Sequence, residues 1–229
     1  MDTLSYTQEY FLCAINNRGI APYSFDSTFS ACLVVGGISE LLDYGYIVRT
    51  GNGDFAICRE WDDGLPYLKP LYDTLMSLRR ADDAKGIAGV YLSVLGRKRF
   101  DELYSAIGDS LVALGCVDVA SKNSGSKNKV KYVPKAEYVK SIIDRVNSDF
   151  TGDGTLAEGT LCLSALLDRS MLIKSYFGKV SADIVKRRIE EARNSEVGGF
   201  VNTALSACDG GTIAAIGYLL LLCLIILIL

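Results

Sequence analysis

Basic side chains are concentrated in two places in a chain that is otherwise slightly acidic, with a formal net charge of -3. The first is the run Arg97-Lys98-Arg99, and the second is the stretch of residues 121–135, which contains no acidic residue. The lysines of that stretch are Lys122, Lys127, Lys129, Lys131 and Lys135. Each basic residue near an anionic lipid surface contributes about 1 kcal/mol to binding, so we predict membrane contact here. The open alternative is a solvated loop whose lysines prevent edge-to-edge strand pairing.

Most catalytic and metal chemistry is excluded or unsupported by the composition. Histidine is absent, which rules out Ser-His-Asp and Cys-His catalysis and zinc sites built on imidazole. Residues 149–154 begin like a calcium-binding EF-hand loop, but position twelve would be Thr160, and Glu158 falls two residues early. The glycine pairs Gly36-Gly37 and Gly51-x-Gly53 lack the spacing and lysine of phosphate loops, and close helix packing explains the first pair more simply. We therefore expect a protein that is not an enzyme and needs no cofactor or metal.

Cysteine usage and the N-terminal sequence indicate an intracellular location. The seven cysteines are distributed singly, mostly within apolar runs, and form no Cys-x-x-Cys pair. This distribution is typical of reduced, buried thiols. The first residues, MDTLSYTQEYFL, lack a basic segment followed by an apolar one, so they do not resemble a secretory signal. We expect the body of the protein to lie on the cytoplasmic side.

Helical periodicity dominates the segments that must position these residues. Apolar residues recur at spacings of three and four between Leu68 and Leu78 and between Phe100 and Leu114. Residues 135–148, 155–177 and 181–195 show helical patterns as well. The Thr155-x-x-Glu158 box and Ser181 are predicted to begin two of these helices by capping.

Two β-hairpins are predicted, and each follows a helix. Residues 46–58 place short β-rich runs on either side of Gly51-Asn52-Gly53, and residues 117–133 join two more runs through a polar loop. No internal repeat of fixed period is visible. The predicted fold is a mainly α single domain with two hairpins in winged-helix-like units.

The chain ends in TIAAIGYLLLLCLIILIL, residues 212–229, without a single charge. As a helix this segment would extend about 27 Å, close to the roughly 30 Å hydrocarbon thickness of a bilayer. A helix that is apolar on every face must be buried all round, so we predict a membrane anchor. The alternatives are a buried or oligomer-facing helix, or a segment created by cloning or gene prediction. The candidate anchor residues are Thr212, Ile213, Ile216, Tyr218, Leu219, Leu222, Leu224, Ile226 and Leu229.

The order of these segments resembles the Golgi phosphoprotein 3 family. The similar stretches are LSYTQEYFLCAINNRG, ISELLDYGYI, LVALGCV and GTLCLSALLDRSMLIKSYF, which together cover roughly residues 3–208 in the family's order. The resemblance implies a single helical domain at residues 1–208, followed by the apolar segment 212–229. It also implies binding to phosphatidylinositol 4-phosphate, partners among the cytoplasmic tails of membrane proteins, and membrane and oligomer contacts through the second hairpin.

The headgroup pocket of that family uses a tryptophan and three arginines. The corresponding positions here are Phe25, Val34, Asp101 and Tyr104, so none of the three cations is kept. A phosphate monoester needs charge-assisted donors, which valine and aspartate do not supply. We therefore expect attachment by charge, through Arg97 to Arg99 and the hairpin lysines, rather than recognition of one headgroup.

The prediction from the sequence is thus a non-enzymatic module on the cytoplasmic face of an anionic membrane. The alternative is a nucleic-acid-binding regulator of the winged-helix type, which the order of helix and hairpin suggests. Residues 29–45, the helix that would enter the groove in the first unit, contain no basic residue, and this disfavours DNA readout.

Overall fold

The computed structural model describes residues 4–16, 19, 27–50, 55–77, 97–120, 130–152 and 156–192. The helices are α1 (Tyr6–Ala14), α2 (Ser27–Asp43), α3 (Lys69–Ser77), α4 (Arg97–Ala113), α5 (Ala136–Thr151), α6 (Glu158–Arg169) and α7 (Ile173–Ala192), with a 3-10 turn at Pro66–Leu68. The strands are β1 (Ile47–Arg49), β2 (Phe55–Ile57), β3 (Val117–Ala120) and β4 (Lys131–Pro134). The prediction of a mainly α fold with two hairpins is confirmed. The predicted apolar helix at residues 212–229 lies outside the described residues.

Helix α1 forms the centre of the core. All nine of its residues are buried, and Tyr10, Phe11 and Leu12 have no exposed surface. Helices α2, α4, α5 and α6 surround it. The helix begins with a capping box, in which the Ser5 hydroxyl accepts the Gln8 N–H and the Gln8 side chain accepts the Ser5 N–H. A short helix is thus held by its cap and by burial rather than by its length.

The glycine pair of α2 allows close helix packing, as the sequence predicted. A Cβ atom on Gly36 would lie 2.9 Å from Thr7 Oγ1 in α1 and 3.2 Å from Leu166 Cδ1 in α6. A Cβ atom on Gly37 would lie 2.7 Å from Leu71 Cδ2 in α3. Because real Cβ contacts are longer than this, only glycine permits these three helices to approach α2 so closely.

The arrangement of a helix, a glycine and a hairpin occurs twice among the described residues. Helices α2 and α4 are followed by Gly45 and Gly115, both in the left-handed region with φ of 70° and 72°. The residue after each glycine donates its N–H to a helix carbonyl at 2.9 Å, Tyr46 to Leu41 and Cys116 to Leu111. The glycines lie seventy positions apart. Backbone geometry therefore reveals a repeat that the side chains do not show.

The two hairpins also have matching registers. Ile47 pairs with Ile57 at the base of the first, and Val117 pairs with Pro134 at the base of the second. Just before each base pair, Cys58 N–H donates to Tyr46 O and Lys135 N–H donates to Cys116 O, both at 3.0 Å. The turns that close the two hairpins, residues 51–54 and 121–129, lie outside the described residues.

Two local predictions in the second half of the chain are wrong. Helix α6 begins at Glu158 after the N-cap residue Ala157, which makes no side-chain cap bond, rather than after Thr155, which lies outside the described residues. The run of residues 155–177 is divided between α6 and α7 at Met171, whose φ is 59°. The predicted break before Ser181 is present, because the range given as α7 contains two helices joined across a kink at Gly178, with φ of 69°. Glycine permits that conformation, which places the break three residues before Ser181.

The prediction that the cysteines are reduced and buried holds for four of the five cysteines among the described residues. Cys13, Cys32, Cys116 and Cys162 are free and buried, whereas Cys58 is free but exposed. Cys58 follows β2, where its thiol lies 3.1 Å from Gly45 O at the edge of the first hairpin. Cys208 and Cys223 lie outside the described residues.

Gly108 of α4 lies directly against a tyrosine ring of the second hairpin, and its replacement tests that packing. A Cβ atom there would lie 2.3 Å from the ring of Tyr132 in β4. We predict that Gly108→Ala lowers the free energy of unfolding by about 2 kcal/mol, because overpacking outweighs the better helix propensity of alanine. The measurement is unfolding by urea.

The matched control is Gly152→Ala at the end of α5. There the nearest atom to a new Cβ lies at 3.4 Å and φ is -77°, so alanine fits. This variant should be neutral or up to about 1 kcal/mol more stable. Equal effects of the two substitutions would show that Tyr132 does not pack against Gly108.

Candidate membrane-contact surface

The basic run predicted from the sequence forms the first turn of α4. Arg97 and Lys98 are exposed, Arg99 is half-buried, and the Lys98 side chain has 89% of its surface exposed. Lys98 Nζ lies 3.7 Å from Glu102 Oε1 one turn later, a pair that supports the helix. Cations are otherwise disfavoured at a helix N-terminus, where the helix dipole is positive. The dipole thus opposes the basic run, in which Arg97 and Lys98 are exposed.

The second hairpin is attached to the same helix through Tyr132 of β4. This side chain has no exposed surface, and its hydroxyl donates a 2.7 Å hydrogen bond to Asp109 Oδ1 of α4. Its ring contacts those of Tyr104 in α4 and Phe11 in α1, with centroid distances of 5.6 Å and 5.9 Å. The hairpin and α4 are thus one packed unit.

The strands run back along α4 toward its basic end. Val117 follows the C-terminal end of α4, whereas Tyr132, further along the hairpin, lies over Gly108. Lys131 is exposed and neighbours Tyr132, so its side chain points to the opposite face of the strand pair. Lys131 and the Arg97 to Arg99 run therefore belong to one structural unit. Lys122, Lys127 and Lys129 lie outside the described residues.

The positions that correspond to the family's headgroup pocket contain no cation among the described residues. Val34 is completely buried in α2. Tyr104 packs against Phe11, Phe29 and Phe100 in an aromatic cluster, and burial raises its pKa to about 12. Asp101 is partly exposed on α4. Phe25 lies outside the described residues.

A buried carboxyl group in α2 is the main polar feature that sequence reasoning missed. Glu40 is 1% exposed and accepts hydrogen bonds from the Thr7 N–H and the Tyr67 hydroxyl, both at 2.7 Å. Burial raises the pKa of Glu40, and these hydrogen bonds oppose that rise. Glu40 follows Gly36 and Gly37 by four and three positions, so it shares their packed face. The spacing of Glu40 from the two packing glycines was the feature of the sequence that could have placed this carboxyl group in the interior.

A second polar network joins three helices around Arg145 of α5. Its guanidinium donates to Glu9 Oε2 of α1 at 2.6 Å and to Thr160 Oγ1 of α6 at 3.1 Å. Thr160 in turn donates to Asp149 Oδ2 at 2.8 Å. Burial raises the pKa of Glu9, and Arg145 opposes that rise. Asp149 and Thr160, the ends of the rejected EF-hand pattern, are thus joined to each other.

Arg188 of α7 closes the end of α5. Its Nη1 donates to the carbonyl oxygens of Asp149, Phe150 and Gly152 at 3.2, 3.0 and 2.8 Å. The last carbonyls of a helix lack hydrogen-bond partners within the helix, and the Arg188 guanidinium supplies those partners.

The polar networks around Glu40, Arg145 and Arg188 hold the fold together. Across the described parts of the chain, no three acidic or thiol groups are placed to bind a metal ion.

Comparison with known proteins identifies no relative: no protein-family model matches the chain, and no curated protein matches it. The likeness to the Golgi phosphoprotein 3 family therefore stays a prediction from sequence. Of the helices within the described residues, none is long and apolar enough to cross a bilayer. The predicted anchor at residues 212–229 is not among them.

Proposed function

We propose that this protein is a non-enzymatic module that binds the anionic cytoplasmic surface of a membrane. The observation that carries the proposal is that exposed Arg97 and Lys98 begin the helix along which the Lys131-bearing hairpin packs. Residues 212–229 supply the anchor, since they contain no charge. Cytoplasmic tails of membrane proteins are the proposed further partners, and the second hairpin is the proposed site of any self-association.

Binding by this surface should follow the charge density of the membrane rather than the identity of a headgroup. Val34 is buried, and Asp101 and Tyr104 carry no positive charge, so these three positions supply no cation to a headgroup. Phosphatidylinositol 4-phosphate enters the proposal as one anionic lipid among others. At equal surface charge, vesicles containing it and vesicles containing phosphatidylserine should bind equally.

Charge reversal at the start of α4 tests the proposal. We predict that Arg97→Glu with Lys98→Glu weakens binding to phosphatidylserine vesicles about 30-fold, since two cations contribute about 2 kcal/mol. The binding is measured by flotation of the chain ending at Gly211, in which the apolar segment cannot mask the effect. Far-UV circular dichroism should show an unchanged helix content.

The matched control reverses two exposed cations of α7, Lys174→Glu with Arg187→Glu. Both double variants replace two cations by two anions and so change the formal net charge of the full chain from -3 to -7. The control should retain most of the binding because α7 lies outside the α4 and hairpin unit. Equal losses in the two variants would contradict a localised surface. Full-length protein that stays at the bottom with anionic vesicles would contradict membrane binding altogether.

The nucleic-acid alternative has less support from the packing. Helix α2 would have to enter the groove in the first unit, but residues 31–41 of α2 are all buried. Helix α4, in the second unit, exposes Glu102 and Asp109 along the turns that follow its basic first turn, so a groove that took in the whole helix would bring both carboxylates close to phosphates.

A further inference from the structure

An apolar groove lies away from the basic surface, where α1, β4, α5 and α7 meet. Its volume is about 400 Å³. One wall is a stripe along α5 that includes Ala136, Val139 and Ile143, at spacings of three and four. Ile15 after α1 and Tyr176 of α7 form the opposite side. The Tyr176 hydroxyl donates to Cys13 O at 2.5 Å, which fixes the ring in place.

The rim of this groove favours an uncharged occupant. Lys140 and Asp144 are the charged residues of its lining, and they form an ion pair with each other. The groove therefore presents apolar walls with no net charge at its edge. A charged peptide or an anionic lipid headgroup would gain no electrostatic complement there.

We infer that residues 212–229 of the same chain dock in this groove when no membrane is present. Their composition matches it, because they are apolar and carry no charge. The chain is also long enough: α7 takes it no more than roughly 24 Å from Tyr176 to Ala192. The residues between Ala192 and Thr212 can span up to roughly 66 Å. The groove is near the lower end of the about 300–1,000 Å³ range of ligand clefts, so it covers a short part of the segment.

Docking and membrane insertion exclude each other in this arrangement. The segment leaves the groove when vesicles offer it a larger apolar environment. None of the basic residues proposed to meet the membrane lines the groove, so docking does not depend on them. The two proposals can therefore fail independently.

The test is a cross-link between the groove and Cys223 in full-length protein, in detergent-free buffer at low concentration. Cys58→Ser and Cys208→Ser remove the other thiols that are not known to be buried. Ala136→Cys places a thiol on the groove, and Glu137→Cys places a matched exposed thiol beside it that does not line the groove. A short bis-maleimide should join the Ala136→Cys thiol to Cys223 within one chain about tenfold more efficiently than the control. Phosphatidylcholine vesicles should reduce the link.

A charge inside the groove provides the second arm. In the Ala136→Cys background, Val139→Asp should reduce the link about tenfold, whereas Ser141→Asp, exposed and outside the groove lining, should not. Equal links at positions 136 and 137, or no response to Val139→Asp, would overturn the inference. Links that join two chains, or aggregation without detergent, would also overturn it. The double variant Arg97→Glu with Lys98→Glu should leave the cross-link unchanged. A loss of membrane binding in that variant therefore does not count against docking in the groove.

Discussion

Replacing Glu40 by alanine is expected to lower the free energy of unfolding by about 3 kcal/mol. Glu40 accepts the Thr7 N–H at the start of α1 and the Tyr67 hydroxyl after the 3-10 turn, both in the interior. Alanine leaves both donors buried without an acceptor, and each such group costs about 1–3 kcal/mol. The removed side chain also leaves a cavity.

Glu40→Gln is the matched variant that keeps the shape, and its effect should depend on pH. Burial raises the pKa of Glu40 above its value in the unfolded chain, so the protonated acid stabilises the fold. That contribution is present below the unfolded pKa and is lost as pH rises through the folded pKa. Glutamine has no such loss. The stability of the natural protein relative to Glu40→Gln should therefore be greatest near about pH 5 and smaller near about pH 8.

The measurement is urea unfolding of the natural protein, Glu40→Ala and Glu40→Gln at these two pH values. Burial also raises the pKa of Glu9 and Asp43 in all three proteins, and these contributions cancel in the comparison except for the smaller part of the rise at Glu9 that the charge of Glu40 causes. A difference between the natural protein and Glu40→Gln that does not change with pH would contradict the raised pKa. Equal stabilities of the alanine and glutamine variants would contradict the hydrogen bonding.

Tyr132→Ala is expected to destabilise the fold by about 3–5 kcal/mol, the range for truncation of a buried aromatic side chain. Tyr132 is completely buried between Gly108 and the rings of Phe11 and Tyr104. Its loss removes the contact that holds hairpin β3–β4 against α4. Under conditions in which the variant stays folded, the hairpin that carries Lys131 should no longer be held against α4. Vesicle binding should then weaken as well.

Tyr132→Phe separates the ring from the hydroxyl. It keeps the aromatic contacts and loses the bond to Asp109, which is exposed and can be hydrated, so the cost should be about 1 kcal/mol. Vesicle binding should be unchanged. Thermal unfolding and flotation of both variants give the two readouts. If Tyr132→Ala remained folded and bound vesicles fully, the attachment of the hairpin to α4 would have no part in binding.

Much of the local structure could be predicted because it depends on neighbouring residues. Apolar spacing identified α3, α4 and α5, and β-rich runs flanking turn residues identified both hairpins. Gly36 and Gly37 were recognised as packing positions because two small residues within a helix leave room for another backbone. The Arg97 to Arg99 run could be predicted to lie at the surface because it contains three consecutive cations, and Arg97 and Lys98 are exposed. The predicted start of α6 failed, because a short capping pattern occurs by chance where no helix begins.

The sequence by itself determined the elements, their order and the positions of the basic residues. Only the tertiary structure decided which of them meet. Glu40 is bound to groups 33 and 27 positions away, and Arg145 reaches Glu9 across 136 positions. The sequence predicted two units of helix and hairpin, but only the backbone shows that they match in detail: Gly45 and Gly115 are both left-handed, and the residue after each makes the equivalent hydrogen bond to its helix. Such contacts depend on how helices pack at angles and distances that no local periodicity encodes.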